Sequence, residues 1–174
     1  MPGRSLDLLI QSVQFFNPNI VLVFIGELNE YYRQVLLPEV EKNDLSEKVY
    51  FIPYIQPDQI MPYVVSADLG MVIYKNTNLN NYYCAPTKFY EYIMAEVPVI
   101  ACNFPEILFT LQQYKIGLTF DPDDPKSIAQ AVNQFLRLNE QEISEIKQNL
   151  KKARDRYTWE NESQTFMEAL QTLR

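Results

Sequence analysis

Thr87, Lys88 and Glu91 are the residues whose types and spacing come closest to a chemical site. They belong to a segment that opens Cys84-Ala85-Pro86-Thr87-Lys88. Pro86 reads as the first turn of a helix, where a missing N–H costs nothing. The free N–H groups and positive dipole end of such a helix attract an anion. Lys88 adds a formal charge one turn in, and Glu91, three residues on, shares its face. A carboxylate in that place can accept two hydrogen bonds from a diol such as ribose. The same spacing also fits a surface Lys–Glu pair, worth a few tenths of a kcal/mol.

Other chemistries are excluded by composition. The chain has no histidine, which removes Ser-His-Asp triads, Cys-His dyads and His-based metal sites. Cys84 and Cys102 are its two cysteines, too few for a metal cluster or a disulfide scaffold, and they point to a reducing compartment. Lys plus Arg number 15 against 22 Asp plus Glu, a net charge of −7, so a broad nucleic-acid-binding face is not expected. Four glycines leave neither GxGxxG nor GxxxxGK[ST]. The longest apolar run, residues 20–25, is far short of the ~20 residues of a spanning helix. Residues 1–5 carry no signal-peptide apolar stretch. A cytoplasmic protein is expected, with at most peripheral membrane contact.

The elements that must position the site alternate along the chain. Helical spacing marks residues 6–16, 29–43 (with Pro38 as a kink), 58–67, 86–96, 105–114 and 125–138. Residues 140–174 read as charged helix broken near 157–159, with Trp159 packing its last part onto the body. Strands are predicted at residues 20–25, 48–52, 69–74, 97–101 and 116–121, and residues 75–83 read as an Asn-rich loop. These strands lack in/out polarity, so they belong in a parallel sheet covered on both faces. The fold class is α/β, a Rossmann-like open sheet in one domain of 174 residues. Ligands of such sheets bind beyond the carboxyl ends of the strands. That edge here carries Gly26-Glu27, Pro53-Tyr54, the loop from Tyr74 to Ala85, Cys102-Asn103 and Asp121. Tyr82-Tyr83 and Tyr31-Tyr32 could stack on a base or sugar there, or simply pack. Asp121 to Asp124 reads as helix-start capping or as a cation site.

Residues 85–101, beginning Ala85-Pro86-Thr87-Lys88-Phe89-Tyr90-Glu91-Tyr92, resemble the donor-site signature of retaining glycosyltransferases of the GT-B fold, group 1 or family 4 type. That signature is a P-[NT]-K-x-x-E-Y helix followed by a G-x-P-V-[IV] turn and strand. Further pieces resemble the same family in order: residues 3–10, 20–26, 49–55, Ser66-Ala67-Asp68-Leu69-Gly70, 116–124 and Tyr157-Thr158-Trp159-Glu160. The resemblance covers roughly residues 3–172. It implies a donor-binding domain of a hexosyltransferase that moves a sugar from a nucleotide diphosphate sugar to a saccharide, lipid-linked or protein acceptor, as in polysaccharide biosynthesis. In that family Glu91 would hold the ribose hydroxyls, and the backbone around Pro86, Thr87 and Lys88 would receive the diphosphate. Arg4 stands where a cation faces the diphosphate, so Lys88 and Arg4 would stabilise the leaving group. Pro53 and Tyr54 lie where the base meets the chain. No metal or other cofactor is expected. Tyr83 replaces a carboxylate that contacts the sugar in many members, and Glu106 is a second candidate for that sugar.

The departures carry their own expectations. Glu96 stands where the turn usually has Gly, and Pro53 follows the second strand where many members have Gly. The family's N-terminal acceptor domain has no counterpart here, and residues 140–174 would form the C-terminal helices. The family's first strand, central in an order of 3-2-1-4-5-6, is also unmatched. Strand 20–25 would then pair directly with strand 69–74, or another chain would supply the strand. The chain reads as a fragment, a split-gene half or a product with a mis-assigned start. A non-catalytic subunit complementing a separate half is the alternative, and a nucleotide-sugar epimerase of similar architecture ranks last. Little transfer activity is expected of the chain alone.

Overall fold

The computed structural model describes residues 4–172. Residue 3, where the family resemblance begins, lies outside that range. Residues 6–16 form α1 (Leu6–Ser12) and a 3-10 turn (Val13–Phe15), and Leu9, Ile10 and Val13 are buried. β1 (Leu22–Ile25) follows. The helix expected over 29–43 is a π-helical stretch (Tyr32–Leu36) running into α2 (Leu37–Lys42). Pro38 accounts for this: it has no N–H to donate and its ring clashes with an α-register carbonyl, so the turn before it widens. β2 (Val49–Ile52), α3 (Met61–Val65) and β3 (Gly70–Val72) come next. The Asn-rich loop contains a short helix, α4 (Leu79–Tyr82), because the Asn78 side chain accepts the Asn81 N–H at 2.9 Å. α5 (Thr87–Met94), β4 (Val99–Cys102), α6 (Pro105–Tyr114), β5 (Gly117–Phe120) and α7 (Pro125–Phe135) complete the alternation.

All pairings are parallel, but the sheet is in two parts. β1 pairs with β2, Leu22 opposite Val49, and β3-β4-β5 form a three-stranded sheet. The direct pairing of β1 with β3 considered from the sequence does not form. Both parts line one apolar core that includes Leu22, Val49, Val72 and the whole of β4. β5 approaches β4 closely at Gly117, where an added Cβ would lie 1.7 Å from the Val99 carbonyl oxygen.

α1 and α7 run side by side, and their ends fix directions. Asn133 near the end of α7 accepts the Asn17 N–H at 2.9 Å and donates to the Phe15 carbonyl at 2.7 Å. α7 leaves the carboxyl end of β5, so its last turn lies at the amino end of that sheet. The chain therefore leaves α1 at the amino end and enters β1 in the same direction as β3, β4 and β5.

The C-terminal part is α8 (Glu140–Arg156), opened by a capping box of Asn139 and Glu142, and α9 (Trp159–Thr172). The expectation for Trp159 is corrected: it is 78% exposed. Tyr157, in the break, is the anchor instead, with its ring 5.1 Å from Tyr90 and 5.8 Å from Tyr114. The last turn of α8 aims Tyr157 at the body, and the start of α9 turns Trp159 outward. Among the described residues no helix is long and apolar enough to cross a membrane.

Candidate functional site

α5 begins at a proline because Pro86, extended at φ −72° and ψ 132°, serves as its N-cap without a side-chain hydrogen bond. The first helical bond among the described residues is Phe89 N–H to the Pro86 carbonyl at 2.9 Å. The Thr87 and Lys88 N–H groups precede it and stay available to a ligand. Phe89 and Ile93 are buried beneath and fix the helix on the body, while Thr87 and Lys88 are exposed and Glu91 is half-buried. The helix thus presents its N-terminus at the carboxyl edge of β3 and β4.

Arg4 joins this edge from the other side. Its guanidinium lies 5.4 Å from the Tyr74 ring centre, just past the end of β3. Its charge reaches both Lys88 and Cys84. At the Lys88 ammonium, desolvation lowers the pKa first, Arg4 lowers it further, and Glu91 pulls it back. Among the described residues Lys88 and Glu91 do not close an ion pair. The surface pair that their spacing allows is therefore not made, and both groups stay free for a ligand.

The structure thus brings Arg4, Thr87, Lys88 and Glu91 to one edge, with Pro86 as the hinge. The other sequence-predicted residues lie on other elements. Tyr83 is exposed after α4, edge-on to Tyr82 at 4.9 Å, and Tyr82 packs on Phe104 at 5.2 Å. Pro53 and Tyr54 are exposed just beyond β2, on the other part of the sheet. Glu106, in the first turn of α6, lies near enough for its charge to act on the Tyr90 phenol. Burial first, then Glu106, drives that phenol far above the ordinary tyrosine range. Tyr74 and Cys84 were placed at this edge by the sequence, but their contacts were not legible there. Tyr74, the platform for Arg4, ended a predicted strand and gave no signal of stacking. Cys84 is half-exposed and donates its Sγ hydrogen to the Asn81 carbonyl at 3.0 Å. Cys102 is buried, and desolvation pushes its thiol up to about 12. Asp124 caps α7 by accepting the Lys126 N–H at 2.9 Å. A groove of about 530 Å³ between α1, α2 and the start of α7 is lined by none of the predicted site residues.

Glu96 takes the left-handed conformation, φ 56°, at the end of α5. Val97 N–H to the Tyr92 carbonyl and Glu96 N–H to the Ile93 carbonyl, each 3.0 Å, close the turn usually made by Gly. The strain is tolerated beside an ion pair between Glu96 and Arg154 of α8.

The family model for glycosyl transferases group 1 matches residues 3–153, and the chain belongs to that family. No curated protein matches the sequence. Among solved structures, Anabaena HepE in complex with UDP and glucose aligns with a TM-score of 0.80 at 16% identity, over 99% of this chain and 46% of that one. Sucrose-phosphate synthase from Thermosynechococcus elongatus aligns at 0.77 and 18% identity, over 99% and 43%. The catalytic domain of cholesterol-α-glucosyltransferase from Helicobacter pylori aligns at 0.69 and 16%, over 91% and 93%. These likenesses establish the Rossmann-like α/β fold. The chain spans less than half the length of HepE and of the synthase.

Proposed function

We propose that this chain is the donor-binding part of a retaining glycosyltransferase and holds the nucleoside diphosphate of a nucleotide sugar at the carboxyl edge of β3 and β4. The observation that carries the reading is the open N-terminus of α5. Unpaired Lys88 and Glu91 stand there beside Arg4, inside a segment that matches the family model. Glu91 accepts hydrogen bonds from the ribose hydroxyls. The Thr87 and Lys88 N–H groups, the Lys88 ammonium and the Arg4 guanidinium meet the diphosphate. Negative charge grows on that group as the glycosidic bond breaks, and preorganised donors stabilise it without a metal. Pro53 and Tyr54 meet the base, while Tyr83 and Glu106 are the candidates for the sugar. The acceptor binds to a further domain or partner, so the chain alone transfers little sugar.

UDP is the first probe because HepE was solved with UDP, and GDP is the comparison. Saturable calorimetric binding of either one supports the reading. It should survive a chelator and weaken in Glu91→Ala. Absence of binding in a sample that melts cooperatively overturns it.

A further inference from the structure

The joint between α8 and α9 is held from both sides. Arg156 of α8 pairs with Glu162 of α9, and the Asn161 side chain donates to the Asp155 carbonyl at 2.6 Å. Tyr157 N–H donates to the Ala153 carbonyl and Glu162 N–H to the Thr158 carbonyl, each at 3.0 Å, so one helix ends and the next begins within two residues. Leu150, Ala153 and Tyr157 follow one helical stripe, and the first two are fully buried. The direction of the Tyr157 side chain is therefore set by the joint. That stripe meets two helices, because α8 packs on both α5 and α6. The Tyr157 ring lies edge-on to Tyr90 of α5 at 5.1 Å and to Tyr114 of α6 at 5.8 Å. Its hydroxyl is 3.3 Å from the Oγ1 of Thr110 on α6, a fully buried residue. Both helices open at the carboxyl edge of the sheet, and Pro105 starts α6 three residues after β4. Tyr90 immediately precedes Glu91. Glu106 lies one turn before Thr110 on the same face of α6.

We propose that Tyr157 is a positioning residue of the donor site: it bridges α5 and α6 and sets the separation and tilt at which Lys88, Glu91 and Glu106 face a nucleotide sugar. Tyr157 itself touches no ligand. Edge-on aromatic contacts are directional, so its ring constrains the orientation of both helices as well as their distance. The hydroxyl adds height, because a buried hydroxyl such as that of Thr110 needs a partner. A site keeps its geometry only when the residues behind it are locked by packing. The last turns of α8 hold α5 in two places, Tyr157 at Tyr90 and Arg154 at Glu96. Two holds fix the tilt of a helix. With the Tyr157 hold removed, the Glu96 end becomes the pivot and movement is largest at the opposite end, where Thr87 and Lys88 stand. The charge of Glu106 acts on the Tyr90 phenol, so the two helices already meet across this bridge. The role rests on the nucleotide reading of the site, whereas the bridge itself rests on ring contacts.

The test compares Tyr157→Leu, which removes the ring, with Tyr157→Phe, which keeps it. The control is Val132→Ala, a buried change on α7, which packs on α1 and β5. UDP affinity is measured by calorimetry at a temperature where every protein is folded. Tyr157→Leu should weaken UDP at least about fivefold and Tyr157→Phe less than about twofold. Val132→Ala should lower the melt and leave the affinity unchanged. Phe89 and Leu108 N–H groups bond within the first turns of α5 and α6. Their amide exchange should quicken in Tyr157→Leu, beyond any change at Leu22 of β1, and stay near native in Tyr157→Phe. Should Tyr157→Leu not fold, Tyr90→Leu removes the same contact from the α5 side and carries the same expectation. Native affinity in the leucine variant, or an equal loss in Val132→Ala, overturns the positioning role while the nucleotide site stands. A native chain that melts cooperatively and binds neither UDP nor GDP overturns the nucleotide reading and the positioning role with it. Unchanged exchange at Phe89 and Leu108 overturns the bridge.

Discussion

Replacing Glu91 by Ala removes a half-exposed carboxylate and leaves the buried side of α5, Phe89 and Ile93, untouched. The loss in UDP affinity should be ~1–3 kcal/mol, the range for charge-assisted hydrogen bonds, with an unchanged melt; calorimetry on both proteins checks it. Lys88 adds a pH signature. Its lowered pKa means that it loses its proton below pH 10.5, whereas a bound diphosphate favours the charged form. Binding therefore takes up protons, and affinity falls as pH rises through the lowered value. Affinities measured across the alkaline range should bend for the native chain and stay flat in Lys88→Arg. The Lys–Glu spacing was legible in the sequence. That the two do not pair, and that Arg4 arrives from 84 positions away, follows only from the tertiary structure, which lays Arg4 over Tyr74 past the end of β3.

Helix ends separate what local sequence encodes from what it does not. The starts of α6 and α7 fall on Pro105 and Pro125, as read from the sequence, because Pro fits the first turn for purely local reasons. The end of α5 is different. Glu96 keeps its left-handed turn although Gly would hold it with less strain, and its partner Arg154 lies on α8. Glu96→Ala should destabilise the fold, losing the pair and keeping the strain. Glu96→Gly should be more stable than Glu96→Ala by about 1 kcal/mol, as compared in denaturant titrations. The anchor of the C-terminal helices was likewise misread. Trp159 is the larger aromatic, but helix phase points Tyr157 at Tyr90, Tyr114 and Thr110. Tyr157→Ala should cost ~2–4 kcal/mol and Trp159→Ala less than about 0.5.

At the scale of the molecule, burial concentrates on β4 and the helices around it. All four β4 residues are buried, and no residue of α9 is. Phe166, Met167 and Leu170 of α9 stay exposed with Trp159. Removing residues 159–174 should therefore shift the thermal midpoint by no more than about 2 °C, whereas Gly117→Ala should lower it by many degrees. The latter places a methyl group against the Val99 carbonyl and splits the only ladder joining β4 to β5 among the described residues. Differential scanning on the two variants reads both outcomes.

The sequence by itself determined the alternation of elements, the parallel class of the sheet and the helix-opening segment of the site. Each of these is written in apolar periodicity, proline placement or a contiguous motif, which act over a few residues. Tertiary structure alone decided that β1 and β3 do not pair, that Arg4 lies over Tyr74 with its charge reaching Lys88, and that Tyr157 rather than Trp159 is the anchor. These depend on strand edges, helix phase and approach between distant segments, and no local spacing encodes them.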